Sequence, residues 1–278
     1  DRPPPHHRPQ AGRGMRMRRG WPLLALAATA AGAVGIHASA ENGARQPAPF
    51  EYRAETWHGV RFAVVRADPS RTHVRMYWRD TAGRGYGSQA ALARALRGRG
   101  ETLLAATNGG IFELHAPTGL HVERGQVLAP LNLRAGSGNF YDTPNAVFFV
   151  TPGGRAEIVE SSAAQPRIAS MAEATQSGPA LLLNGQLPAR FASATTANML
   201  TGSRHIRNGV CVDGRDVYIV KTDDPLTRAH LALFFRDRLG CRDGVYLDGS
   251  TPSSLHVPGR HPESKTGLMG ILAVVAKS

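Results

Sequence analysis

The chain has 278 residues, of which 42% are hydrophobic, 19% charged and 6% aromatic, with 31 glycines and 19 prolines. That balance supports an ordered, loop-rich globular protein of one domain or two small ones, and excludes a disordered or collagen-like chain. The net charge of +12 is unevenly spread: residues 1–40 hold six Arg and one Asp, while Glu41 onward carries 27 basic and 20 acidic residues. Only three basic residues are lysines (Lys221, Lys265, Lys277), and no basic run with interleaved aromatics lies beyond Arg19, which argues against a nucleic-acid partner.

Residues 1–14 begin without Met and are rich in Pro and His; they read as upstream translation, with the native start at Met15 or Met17. Arg16, Arg18 and Arg19 then precede an apolar run over 21–36, and Ala38-Ser39-Ala40 supplies a small-x-small cleavage pattern. Segment 15–40 therefore has the three parts of a secretory signal peptide, with cleavage expected after Ala40. An apolar run of 16 residues, rich in Ala and Gly, is short for a spanning helix, and no Cys follows it to carry a lipid. The expectation is a periplasmic or secreted protein with no stable membrane anchor. In that oxidising compartment Cys211 and Cys241 are expected as a disulfide or as inert buried residues. A catalytic thiol ranks last, because neither lies in a recognisable motif.

Residues 41–50 are polar and contain Pro, and read as a flexible leader to a single domain over 51–278. Strand-like runs at 52–57, 61–66, 72–78, 146–150 and 156–159 are punctuated by Gly, Asn, Asp and Pro. Ser88 is placed to cap a helix over 89–97, and Thr227 to cap one over 228–239, with Gly240 just past its end. A run over 102–107 follows the first helix and delivers the chain to Asn108-Gly109-Gly110. Runs over 216–221 and 244–247 flank the second in a βαβ-like unit ending at Asp248-Gly249-Ser250, and 180–187 reads as a hairpin turning at Asn184-Gly185. The fold class is α+β: one strand-rich domain with a mixed β-sheet and a few helices.

Both units place a polar residue and a glycine directly after an apolar strand, where ligands collect beyond strand carboxyl ends. Each motif alone reads better as a turn, and it is their parallel placement that favours a shared site. The sequence has no G-x-S-x-G elbow, H-E-x-x-H, Walker A loop or G-x-G-x-x-G fingerprint. Its histidines from His58 to His261 show no metal-ligand spacing, so no cofactor is identified; a divalent cation is left open. Further candidates are Ser177 before Gly178-Pro179, Arg207 at the entry to the apolar 210–212 run, and the hydroxyl cluster Ser250-Thr251-Pro252-Ser253-Ser254. A guanidinium clamps phosphate through paired donors, and hydroxyls bond sugar or phosphate oxygens; both also occur as ordinary surface and loop residues.

Taken in order, N-G-G-I-F at 108–112, G-L-H-V-E-R-G-Q at 119–126, L-N at 131–132, G-S-G-N-F-Y at 136–141, P-N-A-V-F-F at 144–149, Q-S-G-P at 176–179, I-R-N-G-V at 206–210 and L-G-C-R-D-G-V-Y-L-D-G-S at 239–250 resemble the phosphodiester glycosidase family, nearest to its exported bacterial branch. The resemblance spans roughly 60–276. It implies hydrolysis of a sugar-1-phosphodiester, with a sugar-phosphate or polysaccharide substrate, releasing free sugar and leaving a phosphate monoester. One segment departs: many family members continue from D-G into a second glycine and a Gly/Ser run, whereas here Asp248-Gly249 continues into Ser250-Thr251-Pro252.

The residues fit that chemistry in the following roles. Asp248 is the first choice for the carboxylate that activates water or stabilises an oxocarbenium-like centre, and Arg207 for neutralising the phosphate. Asn108, Ser177, Ser250 and Ser253 are candidates to hold sugar or phosphate oxygens, and the amides of Gly109, Gly110 and Gly249 to line the anion pocket. For a second carboxylate Glu113, Glu123 and Asp224 compete; Glu113 is ranked first because it shares the Asn108 loop. A non-catalytic glycan or sugar-phosphate binding protein, and a phosphodiesterase that breaks the P–O bond, are the alternatives.

Overall fold

The computed structural model describes residues 46–198 and 202–277. The expected upstream segment, the signal peptide and half of the leader lie outside the described residues. Three antiparallel sheets pack around one core. A six-stranded sheet runs in the order Phe50–Trp57, Val60–Ala67, Val217–Thr222, Asn208–Val212, Asp243–Tyr246, Ala180–Leu182. A five-stranded sheet runs Ala156–Glu160, Ala146–Val150, Glu173–Ser177, His121–Glu123, Gln126–Ala129, and a four-stranded one Leu255–His256, Leu103–Asn108, Ile271–Ala276, Thr72–Tyr77.

The shared core takes Ala63, Val65, Val210 and Ile219 from the first sheet, Phe148 and Ile158 from the second, and Val74, Ala105, Leu272 and Val274 from the third. The other face of the four-stranded sheet is closed by helix α1 (Gln89–Arg97), whose Leu92 and Leu96 lie against Leu103, Ala106, Ile271 and Ala273. Ser88 caps α1 as expected, its hydroxyl accepting from the Ala91 amide at 3.1 Å. The 208–212 and 217–222 strands are buried at every position because both faces of the six-stranded sheet are covered, so they read as continuous runs without alternation.

Helix α2 (Arg228–Leu233) covers the outer face of the six-stranded sheet and continues as a π-helical turn over Phe234–Arg238, where a single α-helix was expected. The wider turn seats two consecutive aromatics inward. Phe234 stacks on Phe62 with 3.8 Å between ring centroids, while Phe235 lies against Gly209 and Gly244, where a Cβ on Gly244 would come within 2.6 Å of the ring. His230 faces the same layer beside Trp57 and Phe62. Burial pushes its pKa down to about 4 and neither ring nitrogen has a partner, so it is a neutral packing residue.

The expected βαβ-like unit is present in split form. Strands 217–222 and 243–246 both pair antiparallel with 208–212, which lies between them, so they run parallel to each other without touching. Every pairing among the named strands is antiparallel, and the sheet expected to be mixed is not. The Asn184-Gly185 turn is as expected, with both residues at positive φ (51° and 77°) closing the Leu183–Gln186 bridge. Strands 173–177 and 271–276 lie outside the expected set. The first carries polar side chains inward, where Glu173 accepts from the Met76 and Arg124 amides and Gln176 from those of Leu120 and Asn132.

Cys211 and Cys241 form a disulfide, Cα–Cα 6.0 Å, joining the 208–212 strand to the segment just past the π-helical turn. The bridge closes a loop of 30 residues. Replacing both cysteines by Ala is therefore expected to cost about 3–4 kcal/mol of stability by the loop-entropy relation. Chemical denaturation of the double variant measures this, and a loss below about 1 kcal/mol would remove the bridge from the stability of the fold.

Candidate functional site

The strand directions bring the candidate residues to one edge. Because 208–212 is antiparallel to 243–246, with Gly209 opposite Tyr246, the residue entering the first strand, Arg207, sits beside the residues leaving the second, Tyr246 to Ser250. The Leu103–Asn108 strand of another sheet ends at the same place. There the Asn108 Nδ2 donates to the Asp248 carbonyl at 2.8 Å, and its Oδ1 accepts from Asn208 Nδ2 at 2.7 Å and from the Ser254 amide at 3.3 Å. Asn108 is thus a clasp between two sheets and the Asp248 loop. Expected as a substrate ligand, it has its side chain engaged internally.

Asp248 is the one acidic residue that lines either of the two cavities at this edge among the described residues. Burial raises its pKa to about 6, against a hydrogen bond from the Gly249 amide that lowers it. It lines a cavity of about 130 Å³ with Asn108, Gly110, Phe112, Pro252 and the 267–270 segment. Gly249 is required sterically, since a Cβ there would lie 1.9 Å from the Tyr246 hydroxyl oxygen. Its amide serves the Asp248 carboxylate and does not line an open anion pocket. Ser250 follows with φ 60°, a left-handed conformation. Glycine adopts that conformation without the cost an L-residue meets, so Ser250 holds a backbone position that favours the glycine expected there.

On the other side of this turn lies a cavity of about 510 Å³ lined by Arg190, Arg207, Arg228, His205, Tyr246, Ser250 and eight smaller or neutral residues. Arg207 is 5% exposed. Its Nε donates to the Leu226 carbonyl at 2.8 Å, Nη1 to the Tyr246 hydroxyl at 3.1 Å and Nη2 to the Ser203 carbonyl at 3.0 Å. No carboxylate pairs with it among the described residues, and burial pushes its pKa below the ordinary arginine value. A guanidinium has five N–H groups, so those left by the three named bonds are available where the side chain lines the cavity. Tyr246 feels both neighbours: burial and the Asp248 charge raise its pKa, and Arg207 lowers it. Its phenol therefore stays protonated beside the guanidinium.

The remaining candidates fall elsewhere. Glu113 does not line either cavity. In the short strand Phe112–Glu113 alternate residues face opposite ways, so Phe112 reaches the smaller cavity and Glu113 is exposed. Its rivals are engaged too, Glu123 with His121 at 2.9 Å and Asp224 with Arg61 at 2.7 Å. Gly109 donates its amide to the Gly270 carbonyl and packs where a Cβ would strike the Ile271 backbone; its role is close approach of two strands, not anion binding. Gly110, at φ 95°, does line the smaller cavity. Ser177 and Ser253 are fully buried, their hydroxyls without partners, and line neither cavity.

Tyr246, Arg190 and Arg228 line the larger cavity and are not among the residues that the sequence singles out. Tyr246 had a legible signal, two positions before Asp248 at the end of the same apolar run; the two arginines had none. Among the described residues no three His, Cys, Asp or Glu side chains come together as metal ligands.

Comparison with known proteins places these motifs in a lineage. The chain is 32% identical over 194 residues to the uncharacterised protein YigE of Escherichia coli (strain K12), covering 69% of this chain and 72% of that one. The fold is similar to the zebrafish N-acetylglucosamine-1-phosphodiester alpha-N-acetylglucosaminidase catalytic domain, at a TM-score of 0.56 and 15% identity, covering 83% and 84% of the two chains. A hypothetical protein from Synechocystis shares it at a TM-score of 0.51 and 12% identity, covering 82% and 62%. The phosphodiester glycosidase family profile matches residues 101–274, which contain Asp248, Arg207 and both cavities' principal residues. The chain belongs to the phosphodiester glycosidase family.

Proposed function

We propose that the protein is an exported hydrolase that releases a sugar from a sugar-1-phosphodiester by cleaving the anomeric C–O bond. The observation that carries this reading is Arg207, a buried guanidinium without a carboxylate partner, which lines the larger cavity on one side of the 246–250 turn while the raised-pKa carboxylate of Asp248 lines the smaller cavity on the other, so that a substrate spanning the turn meets both. A buried charge left uncompensated is costly, and a phosphate in the cavity supplies its counter-charge.

In this reading the ionised Asp248 takes a proton from water as the water oxygen bonds the anomeric carbon. The C1–O bond breaks, its electron pair leaves on the phosphate, and the proton passes from Asp248 to solvent. A phosphate monoester is a competent leaving group without protonation, so a single carboxylate suffices where ordinary glycosides need two. Arg207 and the Tyr246 hydroxyl stabilise the charge that develops on the leaving oxygen. Asn108 positions Asp248 through its carbonyl.

Export is supported by the signal-like segment over 15–40 and by the disulfide, which fits an oxidising compartment. The test is incubation of the purified protein with a panel of sugar-1-phosphodiesters in oxygen-18 water. Free reducing sugar carrying the label is the expected product. Label in the phosphate would replace this reading with P–O cleavage, and saturable binding without any product would replace it with a binding protein.

A further inference from the structure

The larger cavity carries more positive charge than one phosphodiester neutralises. Three guanidiniums line it, from Arg190, Arg207 and Arg228. A single carboxylate, Asp142, serves two of them, 2.8 Å from Arg190 and 2.6 Å from Arg228. Arg228 also donates to Asn139 Oδ1 at 3.3 Å, and Arg207 has no acidic partner among the described residues. No Asp or Glu lines the cavity among the described residues, and Asp248 faces the smaller one. Two positive charges therefore remain once Asp142 is counted against the three arginines.

The arginines stand at different depths. Arg207 is buried at the turn that carries Asp248, whereas Arg190 and Arg228 keep 28% and 23% of their side chains exposed. A phosphodiester carries one negative charge, and a diphosphate diester carries two on adjacent phosphorus centres. We infer that the larger cavity is built for a diphosphate, and hence that the substrate is a sugar joined through C1 to a diphosphate ester, one phosphate on Arg207 and the second toward Arg190 and Arg228. This rests on the reading of the site given above. It makes Arg190 and Arg228 specificity residues, with Asp142 holding both in place and setting the charge of the site. The sugar-nucleoside and sugar-prenyl diphosphates share this chemistry.

The first measurement is calorimetric titration of the full protein with inorganic pyrophosphate and inorganic phosphate at pH 7.5 and fixed ionic strength. Pyrophosphate is expected to bind at least about tenfold more tightly. Arg190→Ala and Arg228→Ala are expected each to shrink that ratio, and Asp142→Asn, which removes the competing carboxylate, to enlarge it. Equal affinities for the two anions in the wild type overturn the inference without any variant, as does a ratio that moves in the same direction in all three variants.

Turnover separates this inference from the function beneath it. A nucleoside diphosphate hexose and the same hexose on a short prenyl diphosphate are compared with its simple methyl phosphodiester. Faster sugar release from either diphosphate supports the inference and shows which source is used. Release from the methyl phosphodiester at an equal or higher rate overturns the diphosphate inference and leaves the hydrolase standing. Pyrophosphate preference with no sugar released from any of the three supports the diphosphate site and removes the hydrolase.

Discussion

Asp248→Asn is expected to lower kcat by about 10³-fold while the protein stays folded. The substitution keeps the shape of the side chain and removes the one carboxylate that lines the cavity at the end of the 243–246 strand. In the wild type the active form is the ionised one. With a pKa raised to about 6 by burial, the rate should fall about tenfold per pH unit below that value and level off above it. The stability effect has the opposite sign. Asp248 has a folded pKa above the ordinary 3.8, so its favourable contribution belongs to the protonated form and is lost as pH rises from 3.8 to about 6. Above that window the buried charge destabilises the wild type, and the Asn variant should be more stable by about 1–2 kcal/mol at pH 7. Parallel pH–rate profiles and thermal melts check both halves. Full turnover in the variant would take Asp248 out of the mechanism, and lower stability at pH 7 would contradict the account of its burial.

Arg207 gives the second large effect. Arg207→Lys keeps a charge but loses the planar fork, and a lysine cannot reproduce bonds to the Leu226 carbonyl, the Ser203 carbonyl and the Tyr246 hydroxyl together with a ligand. KM is expected to rise about 10–100-fold. Arg207→Met, which removes the charge and leaves an apolar stem, should lower kcat/KM by about 10³-fold, since it withdraws the stabilisation of the leaving phosphate as well as its binding. A Lys variant with unchanged KM and kcat would show that the guanidinium is a structural strap between the 203–207 segment and Tyr246. Far-ultraviolet circular dichroism of both variants separates loss of the site from loss of the fold.

Parts of this site were legible residue by residue. Asp248 and Arg207 stand out because each borders an apolar run, Arg207 at its entry and Asp248 at its exit. The capped helix α1 and the Asn184-Gly185 turn follow from local rules, since capping and left-handed turns depend on neighbours within four residues. Asn108 shows where such reasoning stops. An Asn after a strand signals a loop with work for its amide, but that its partners are the Asp248 carbonyl and Asn208 depends on which strands meet, 140 and 100 residues away. Glu113 shows the same limit in reverse, since its place in the Asn108 loop said nothing of which face it takes.

Legible in local sequence, then, were the strand-rich α+β class, two capped helix starts, Asp248 and Arg207 as candidates, and the family that the ordered motifs resemble. Tertiary structure decided which groups share a cavity. Arg190, Arg228 and Asp142 come from separate segments, and only closure of the chain around the three-sheet core sets two guanidiniums on one carboxylate and leaves Arg207 without one. The physical reason is that backbone preferences act over a few residues, whereas the balance of charge in a buried site depends on distances between segments remote in sequence, and those distances are set by packing.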